Sequence, residues 1–577
     1  LLFLYTIRKR KLIQKETRME RKYWQDTVIY QIYLRSFNDS SNDGIGDIRG
    51  VIEKLDYLQN LGAETLWLSP HYDSPMDDNG YDIRDHWKVS PDYGTIDDFK
   101  ELLDKAHKRG MYVITDLVLN HTSDEHPWFE AAKDPNHPDH EKYHDYYIWH
   151  KGSYDEAGNR QIPTRWRSWF GGSVWTYNEP TDEYYLHIFS KKMPDLNWRN
   201  KAMQEDLKAM INWWVDLGVD GFRIDAANHL EKNWDFPDGH PGYENFSSLP
   251  KHHEYLEMLG KEIFTPNNLM TIGESGGASK EEALQYAGFD SNEFDMLIQF
   301  EHCWVDTDDS NELTPGKWAK GEVDVPAIKH SFSKWNEILK GEGWNVIYWH
   351  NHDQPRIVSH YGDDSKEYWK KSAKMLAYTL YMLPGTPIVY YGEEIGMTNV
   401  DYEHLEDFKD VEVFTEYKNF MELGASHETA MQALRDRSRD NARSPMQWDD
   451  SSYAGFSEKK PWMPVNGNYK TLNVNNQKED ASSILSTYKT LLSLRKEEAL
   501  AHGDLTFHDL DDPKNFVYET TGKHHDYLVV ANFKKETAAF DKTLLEGYTL
   551  FLSNQSDVDA SSATLSAYEA RIYRKTK

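Results

Sequence analysis

The sequence predicts an α/β fold: a closed (β/α)8 TIM barrel with a domain inserted after its third strand and a C-terminal antiparallel β-sandwich domain. Three observations predict it. Eight short apolar runs rich in β-branched and aromatic residues recur along the chain. Amphipathic stretches with helical spacing lie between them. After about residue 498 the pattern changes to closely spaced strand-like runs separated by turn residues. Near-continuous apolar strands alternating with helices call for a parallel sheet covered on both faces. Pattern alone also admits an open doubly wound sheet; eight units favour closure.

In chain order, residues 1–18 place five apolar residues ahead of a basic cluster, the reverse of a secretory signal. They are read as a disordered tail, with the protein proper starting near Met19. The predicted barrel strands are VIYQIYL (28–34), ETLWLSP (64–70), MYVITDLVLNH (111–121), VDGFRID (219–225), LMTIGES (269–275), FDMLIQFE (294–301), NVIYWHNHD (345–353) and TPIVYYGEE (386–394). In 49–61, Ile52, Leu55, Leu58 and Leu61 recur every three residues, and in 97–109 Phe99, Leu102, Leu103 and Ala106 share a helical face. The stretches 203–217 and 366–383 read the same way. The barrel thus occupies 19–121 and 196–497. Residues 122–195, rich in His, Asp, Pro, Gly and Trp, form the inserted domain, and 397–450 a partly helical loop subdomain. Both leave from the carboxyl ends of strands, where barrels build their sites. Residues 498–577 form the β domain.

Composition removes several function classes. Among 577 residues, 65 Lys and Arg oppose 96 Asp and Glu, a net charge of −31. A nucleic-acid binder needs a basic footprint, and an anionic membrane surface repels this chain. The single cysteine, Cys303, excludes an intrachain disulfide and a Cys-based zinc site. A cytoplasmic setting fits, and no apolar run of ~18 residues is present to span a membrane. A monomer or homodimer is expected.

The chemistry lies at the strand ends. DLVLNH (116–121), GFRIDAANH (221–229), TIGESGG (271–277) and NHDQPR (351–356) each place an acid, a His, or both where a strand meets its loop. One such Asp is ordinarily just a helix N-cap. Four such junctions on one barrel face suit acetal hydrolysis, which needs a carboxylate nucleophile and a protonated carboxyl about 5–5.5 Å apart if configuration is retained. Neighbouring carboxyls also split their pKa values, keeping one protonated. Arg223 lies two residues before Asp225, so both point the same way from a strand. Arg223 can therefore hold Asp225 ionised. A metal reading of the same His and Asp residues finds no tight ligand spacing.

These four segments, in this order, resemble the catalytic regions of glycoside hydrolase family 13, the α-amylase family. MPDLNW (193–198), DDNGYD (77–82), RDNARSPMQWD (439–449) and GTPIVYYGEEIGM (385–397) extend the resemblance over about Lys22 to Lys577. The bacterial α-glucosidase and oligo-1,6-glucosidase group is the most similar. The resemblance implies Asp225 as nucleophile, Glu274 as acid/base and Asp353 as the third carboxylate. It implies that His121, Arg223 and His352 line the subsite for the non-reducing end, that Asp78 and Tyr81 close it, and that Phe170 walls it. Asp116 would steady Arg223 and the nucleophile. The family pairs an Arg with the Asp at the position of Asp78; Arg439 and Arg443 are both candidates, and spacing does not choose between them. A pocket closed this way makes an exo-acting enzyme on small oligosaccharides.

In this group the residue after the nucleophile correlates with linkage: Val with α-1,6, Ala or Thr with α-1,4. Here it is Ala226, so α-1,4 cleavage is the first expectation and oligo-1,6-glucosidase the alternative. A trehalose-6-phosphate hydrolase would need a cationic pocket; Lys191 and Lys192 are the only hint and read as a solvated face. Met193 replaces the Gln usual in the group. Finally, DSSNDGIGD (39–47) offers Asp39, Ser41, Asp43, Asp47 and the Ile45 carbonyl as oxygen donors, as in the first part of an EF-hand loop, though Gly50 stands where its Glu would be. The group often binds Ca2+ or Mg2+ in a matching loop, so a structural cation is expected here, with none needed for the chemistry.

Overall fold

The computed structural model describes residues 22–577; the tail expected at 1–18 and the start near Met19 lie outside them. All eight predicted strands join one parallel sheet: β1 (Ile29–Ile32), β2 (Thr65–Leu68), β3 (Tyr112–Val118), β4 (Gly221–Asp225), β5 (Met270–Glu274), β6 (Met296–Ile298), β7 (Val346–Ile347) and β8 (Thr386–Tyr390). Its order is β6-β5-β4-β3-β2-β1-β8-β7. At the remaining seam the Tyr348 hydroxyl donates to the Gln299 carbonyl at 2.5 Å, so the sheet curls into a near-closed barrel. Every residue of β1, β2, β4 and β8 is buried. That double-sided burial is why these strands show no apolar–polar alternation.

The helices follow their sequence signals. Helix α1 (Ile96–Lys108) opens with a capping box: the Asp98 N–H donates to Thr95 Oγ1 and the Thr95 N–H to Asp98 Oδ2. It buries the predicted Phe99, Leu102, Leu103 and Ala106. Residues 201–217 form α2 (Lys201–Leu217), capped by Asn200 and ended by Gly218 in the left-handed region. The 49–61 pattern is not one helix. It breaks at Lys54 into Ile48–Glu53 and Leu55–Leu61, both keeping their apolar side inward, while the Lys54 ammonium lies 4.3 Å from the Trp448 ring centre. Periodicity survives such an offset, so the sequence could not show it.

Between β3 and β4 the insert builds its own three-stranded antiparallel sheet from Trp149–His150, Glu183–Leu186 and Trp175–Asn178. Trp166, Val174, Leu186 and Ile188 form a separate small core beneath it. A β-bridge between His121 and Asp195 ties the insert's entrance to its exit. After β8 come α3 (Val411–Glu422) and α4 (His427–Arg437), whose Val413, Phe420, Met431 and Leu434 pack together with Trp318 and Met463.

The C-terminal sheet is antiparallel and five-stranded. Its strands are β9 (Asp504–His508), β10 (Asn515–Thr521), β11 (His525–Asn532), β12 (Thr549–Ser553) and β13 (Ala570–Thr576), in the order β9-β10-β11-β13-β12. Alternate residues serve two cores. Phe516, Tyr518 and Val529 join the main core, while Val517, Leu528 and Val530 pack with Leu565 on the far side. There a two-stranded pair, Ala538–Ala539 with Thr564–Leu565, supplies the second layer of the expected sandwich. Buried Lys329 fastens this domain to the barrel by donating to the carbonyls of Asp509, Asp512 and Asn515. Among the described residues, no helix is long and apolar enough to cross a membrane.

Candidate active site

Three adjacent strands bring the carboxylates together. Asp116 on β3 is in register with Arg223 on β4, and Glu274 ends β5. The fully buried Arg223 guanidinium holds all three acids. Its Nη1 donates to Asp116 Oδ1 and to Asp225 Oδ1, each at 2.6 Å, and its Nη2 lies 2.7 Å from Glu274 Oε2. Trp67 Nε1 and the Tyr81 hydroxyl donate to Asp116 Oδ2 from the other side. Immediately after Asp225 the chain turns through Ala226 in the left-handed region, at φ 47° and ψ 39°. That conformation is costly for a residue with a Cβ. It aims the Ala226 N–H at Glu274 Oε2, 3.0 Å away.

Two histidines stand beside this set. His352 Nδ1 is 2.9 Å from the Gln31 amide nitrogen, and its Nε2 is 2.6 Å from the Tyr81 hydroxyl and 3.2 Å from Asp353 Oδ2. His121 Nε2 is buried with no side-chain hydrogen-bond partner among the described residues, and the Tyr81 backbone carbonyl lies against the ring. Burial pushes both rings down to about 3, so both are neutral near pH 7.

The choice between the two arginines is settled here. Arg439 Nη2 donates to Asp78 Oδ1 at 3.2 Å and Arg439 Nη1 to Asp353 Oδ1 at 3.2 Å, with the guanidinium 4.8 Å from the Phe170 ring centre. Arg443 lies behind, bonding Asp353 Oδ1 and the His352 carbonyl. Asp78, Tyr81, His121, Phe170, Asp225, Glu274, His352, Asp353 and Arg439 line one cavity of about 640 Å3. Arg223 and Arg443, expected to touch substrate, are not part of its wall. They are fully buried and hold the carboxylates that are.

Sequence reasoning missed the group that holds Arg439. Asp410, the N-cap of α3, takes its guanidinium bidentately at 2.6 and 2.7 Å. It also missed the outer wall, where Lys317 pairs with Glu412 at 2.7 Å and Arg167 with Glu416 at 3.4 Å, beside Trp169 and Tyr243. The only signal was that these residues fall in the long βα segments. Lys191 and Lys192 do not line the cavity.

The charges are unevenly compensated. For Asp353, burial alone would raise the carboxyl, but the guanidinium charges of Arg439, Arg443 and Arg223 outweigh it, with the His352 ring beside Oδ2, and hold the group below the usual range. For Asp225, burial wins. Arg223 pulls the carboxyl down, while Glu274, Asp116 and Asp353 add to the rise. The Asp225 carboxyl is therefore held well above the ordinary carboxylate range, and it titrates in coupling with its neighbours. Asp78 is pushed up to about 7, by burial against the pull of Arg439. Its unfolded value is near 3.9, so between about pH 4 and 7 the folded chain holds a proton that the unfolded chain has lost. Stability from this group is full below that interval and is lost as pH rises through it. Asp78→Asn is expected to flatten the fall of the unfolding midpoint between pH 5 and 7; an unchanged slope would assign it to other acids.

The 39–47 loop is a self-capped turn. Asp39 accepts the Asn42 and Gly44 N–H groups, Asp43 accepts that of Ile45, and Asp47 those of Ser40, Ser41 and Gly50. Among the described residues, no three His, Cys, Asp or Glu side chains are grouped as metal ligands. In donor type the loop still fits a hard cation. Its side-chain donors are oxygens, and none of its three carboxylates has an ion-pair partner among the described residues.

Comparison with known proteins agrees with this geometry. The family model for the alpha amylase catalytic domain matches residues 31–503. An oligo-1,6-glucosidase of Halalkalibacterium halodurans is 44% identical over 571 residues, covering 96% of this chain and 99% of that protein. The crystal structure of a Bacillus licheniformis trehalose-6-phosphate hydrolase superposes with a TM-score of 0.88 at 40% identity, covering 96% of this chain and 100% of that one. That of an isomaltulose synthase from Klebsiella sp. LX3 gives 0.90 at 36% identity, with the same coverages. A barrel with three carboxylates on one buried guanidinium, matched along its whole length to such enzymes, leaves one conclusion: this chain belongs to the alpha-amylase family and is a glycoside hydrolase.

Proposed function

We propose that this protein is a retaining, exo-acting α-glucosidase that releases glucose from the non-reducing end of short α-1,6-linked oligosaccharides. The observation that carries the exo reading is an arginine pinned in the cavity wall: Arg439 ties Asp78 and Asp353 together there, as a closed non-reducing-end subsite would need. Asp225 attacks the anomeric carbon while Glu274 protonates the departing oxygen, giving a glucosyl-enzyme. Glu274 then takes a proton from the water that releases glucose. Asp353, His352 and His121 grip the ring hydroxyls, and Arg223 keeps Asp225 aimed.

Ala226 by itself pointed to α-1,4 bonds, but full-length relatives named oligo-1,6-glucosidases, at 41–44% identity, support the α-1,6 reading better. The α-1,4 reading stays second, on Ala226, which lines the cavity. A phosphorylated substrate is disfavoured. Phosphate needs a free cation, and the outer cations Lys317 and Arg167 are each already paired to a glutamate. The test is glucose release from isomaltose, maltose and trehalose 6-phosphate, ranked by kcat/KM. Isomaltose is expected to lead, and maltose in first place would restore the α-1,4 reading. Ala226→Val is expected to raise the isomaltose-to-maltose ratio further, by about 10-fold or more for ~1–3 kcal/mol of pocket shape. The ratio is the readout, because a β-branched residue at this positive φ lowers the absolute rates.

The proposal extends to a structural divalent cation on Asp39, Ser41, Asp43, Asp47 and the Ile45 carbonyl. Ca2+ is expected to raise the unfolding midpoint of the chelator-treated protein and to leave kcat on an aryl glucoside unchanged. An unmoved midpoint would leave the loop as a turn alone.

A further inference from the structure

Behind the cavity wall a buried lysine joins three separate segments. Lys232 and Asp195 are both fully buried, with Nζ 2.9 Å from Asp195 Oδ2. The same ammonium donates to Asn120 Oδ1 at 2.8 Å and to the His229 carbonyl. It therefore links the end of β3, the exit of the insert and the loop that follows Asp225. An ammonium has donors only, so the oxygen of the Asn120 amide must face it and the nitrogen must face away. That nitrogen lies 3.3 Å from His121 Nδ1. An amide N–H can only donate, so Nδ1 must accept, and a neutral ring then carries its proton on Nε2. Among the described residues this nitrogen has no side-chain partner, on a ring that lines the cavity and that the Tyr81 backbone carbonyl also meets.

We propose that Lys232 is a positioning residue: through the Asn120 amide it holds His121 in the Nε2–H form, so that the cavity-side nitrogen donates to an oxygen of the bound sugar. The sugar contact rests on the function proposed above; the hold on the ring does not. His352 supplies the contrast. Gln31 faces its Nδ1 in the same way, but Gln31 Oε1 has no hydrogen-bond partner among the described residues. No charge locks that amide, whereas the Asn120 amide cannot turn over without setting an N–H against an ammonium. Asp195 makes the lock affordable, because it balances a charge that would otherwise be too costly to bury.

The first measurement uses the intact protein without substrate. Long-range proton–nitrogen spectra of 15N-histidine protein report which ring nitrogen is protonated, the His121 signal being assigned by its loss in His121→Gln. Nε2–H is expected, and Nδ1–H in the unmodified protein overturns the proposal before any variant is made. Asn120→Asp keeps an oxygen toward Lys232 and replaces the donor facing Nδ1 with an acceptor. It is expected to move the proton to Nδ1 and to raise the KM for isomaltose about tenfold, the loss of one hydrogen bond, with a smaller change in kcat. The double variant Lys232→Met with Asp195→Asn removes both buried charges together and is expected to give mixed tautomers. An unchanged tautomer in Asn120→Asp sinks the relay. A switched tautomer with unchanged KM overturns the role in sugar recognition, and shows that the error lay in reading His121 as a sugar ligand.

Discussion

Asp225→Asn is expected to lower kcat on every glucoside by on the order of 10^4-fold or more, the scale of losing a catalytic nucleophile. The fold should survive, because Arg223 keeps Asp116 and Glu274 as partners. Glu274→Gln is expected to behave differently. General acid help is worth roughly 10^2–10^4-fold and matters least when the leaving group needs no proton. Its loss should therefore be large on isomaltose and small on an aryl glucoside with an acidic phenol. Mass spectrometry of Glu274→Gln with such a glucoside should trap a glucosyl group on the peptide containing Asp225. Equal losses on both substrates, or label on another peptide, would exchange or remove the assigned roles.

Arg439→Ala is expected to be among the most damaging changes in the cavity wall. One guanidinium serves Asp410, Asp78 and Asp353, and all four groups are largely buried. Removing one partner of a buried pair costs about 3–5 kcal/mol, because the remaining charge is stranded. The same change removes part of the cavity wall and should cut kcat/KM for isomaltose. Arg439 is a main reason that Asp410 and Asp353 titrate below their ordinary range. A depressed carboxylate gives stability that is present above its unfolded value, near 3.9, and is lost only as pH falls through the lower folded value. In Arg439→Ala that contribution is gone at neutral pH, and protonation relieves the stranded acids. The gap in urea midpoint between the two proteins should therefore narrow from pH 7 to pH 4.5. A constant gap would mean that Arg439 acts by packing on Phe170 rather than by charge.

All eight barrel strands were legible because each is a short apolar run at the centre of a doubly covered sheet, and such runs stand out from the helices around them. The strands β10 and β11 were likewise legible as apolar runs between turn residues, and both are buried on their two faces, with alternate residues feeding two cores. The offset at Lys54 was invisible, since a helix broken by one residue keeps the spacing of three from Ile52 across the break to Leu55, Leu58 and Leu61. The cation expected at the 39–47 loop is a case where one pattern serves two ends. Oxygen-rich residues at alternating positions also make a good turn, and the bonds from Asp39, Asp43 and Asp47 to backbone N–H groups are those of a turn.

The sequence by itself determined the barrel and which acids meet at its carboxyl-end face, because strand ends carry their residues to one face whatever else the chain does. Asp116, Arg223 and Asp225 follow from that rule alone, as does Glu274 at the end of the next strand. Only the tertiary structure decided which arginine meets Asp78. Arg439 and Arg443 lie one helical turn apart, and the direction each faces depends on how the segment after β8 folds back over the barrel. The same is true of Asp410, whose meaning comes from Arg439, and of Lys232, which reaches Asn120 and Asp195 across more than a hundred and more than thirty residues of chain. Charges that must be buried together find their partners through space, and no spacing along the chain records that.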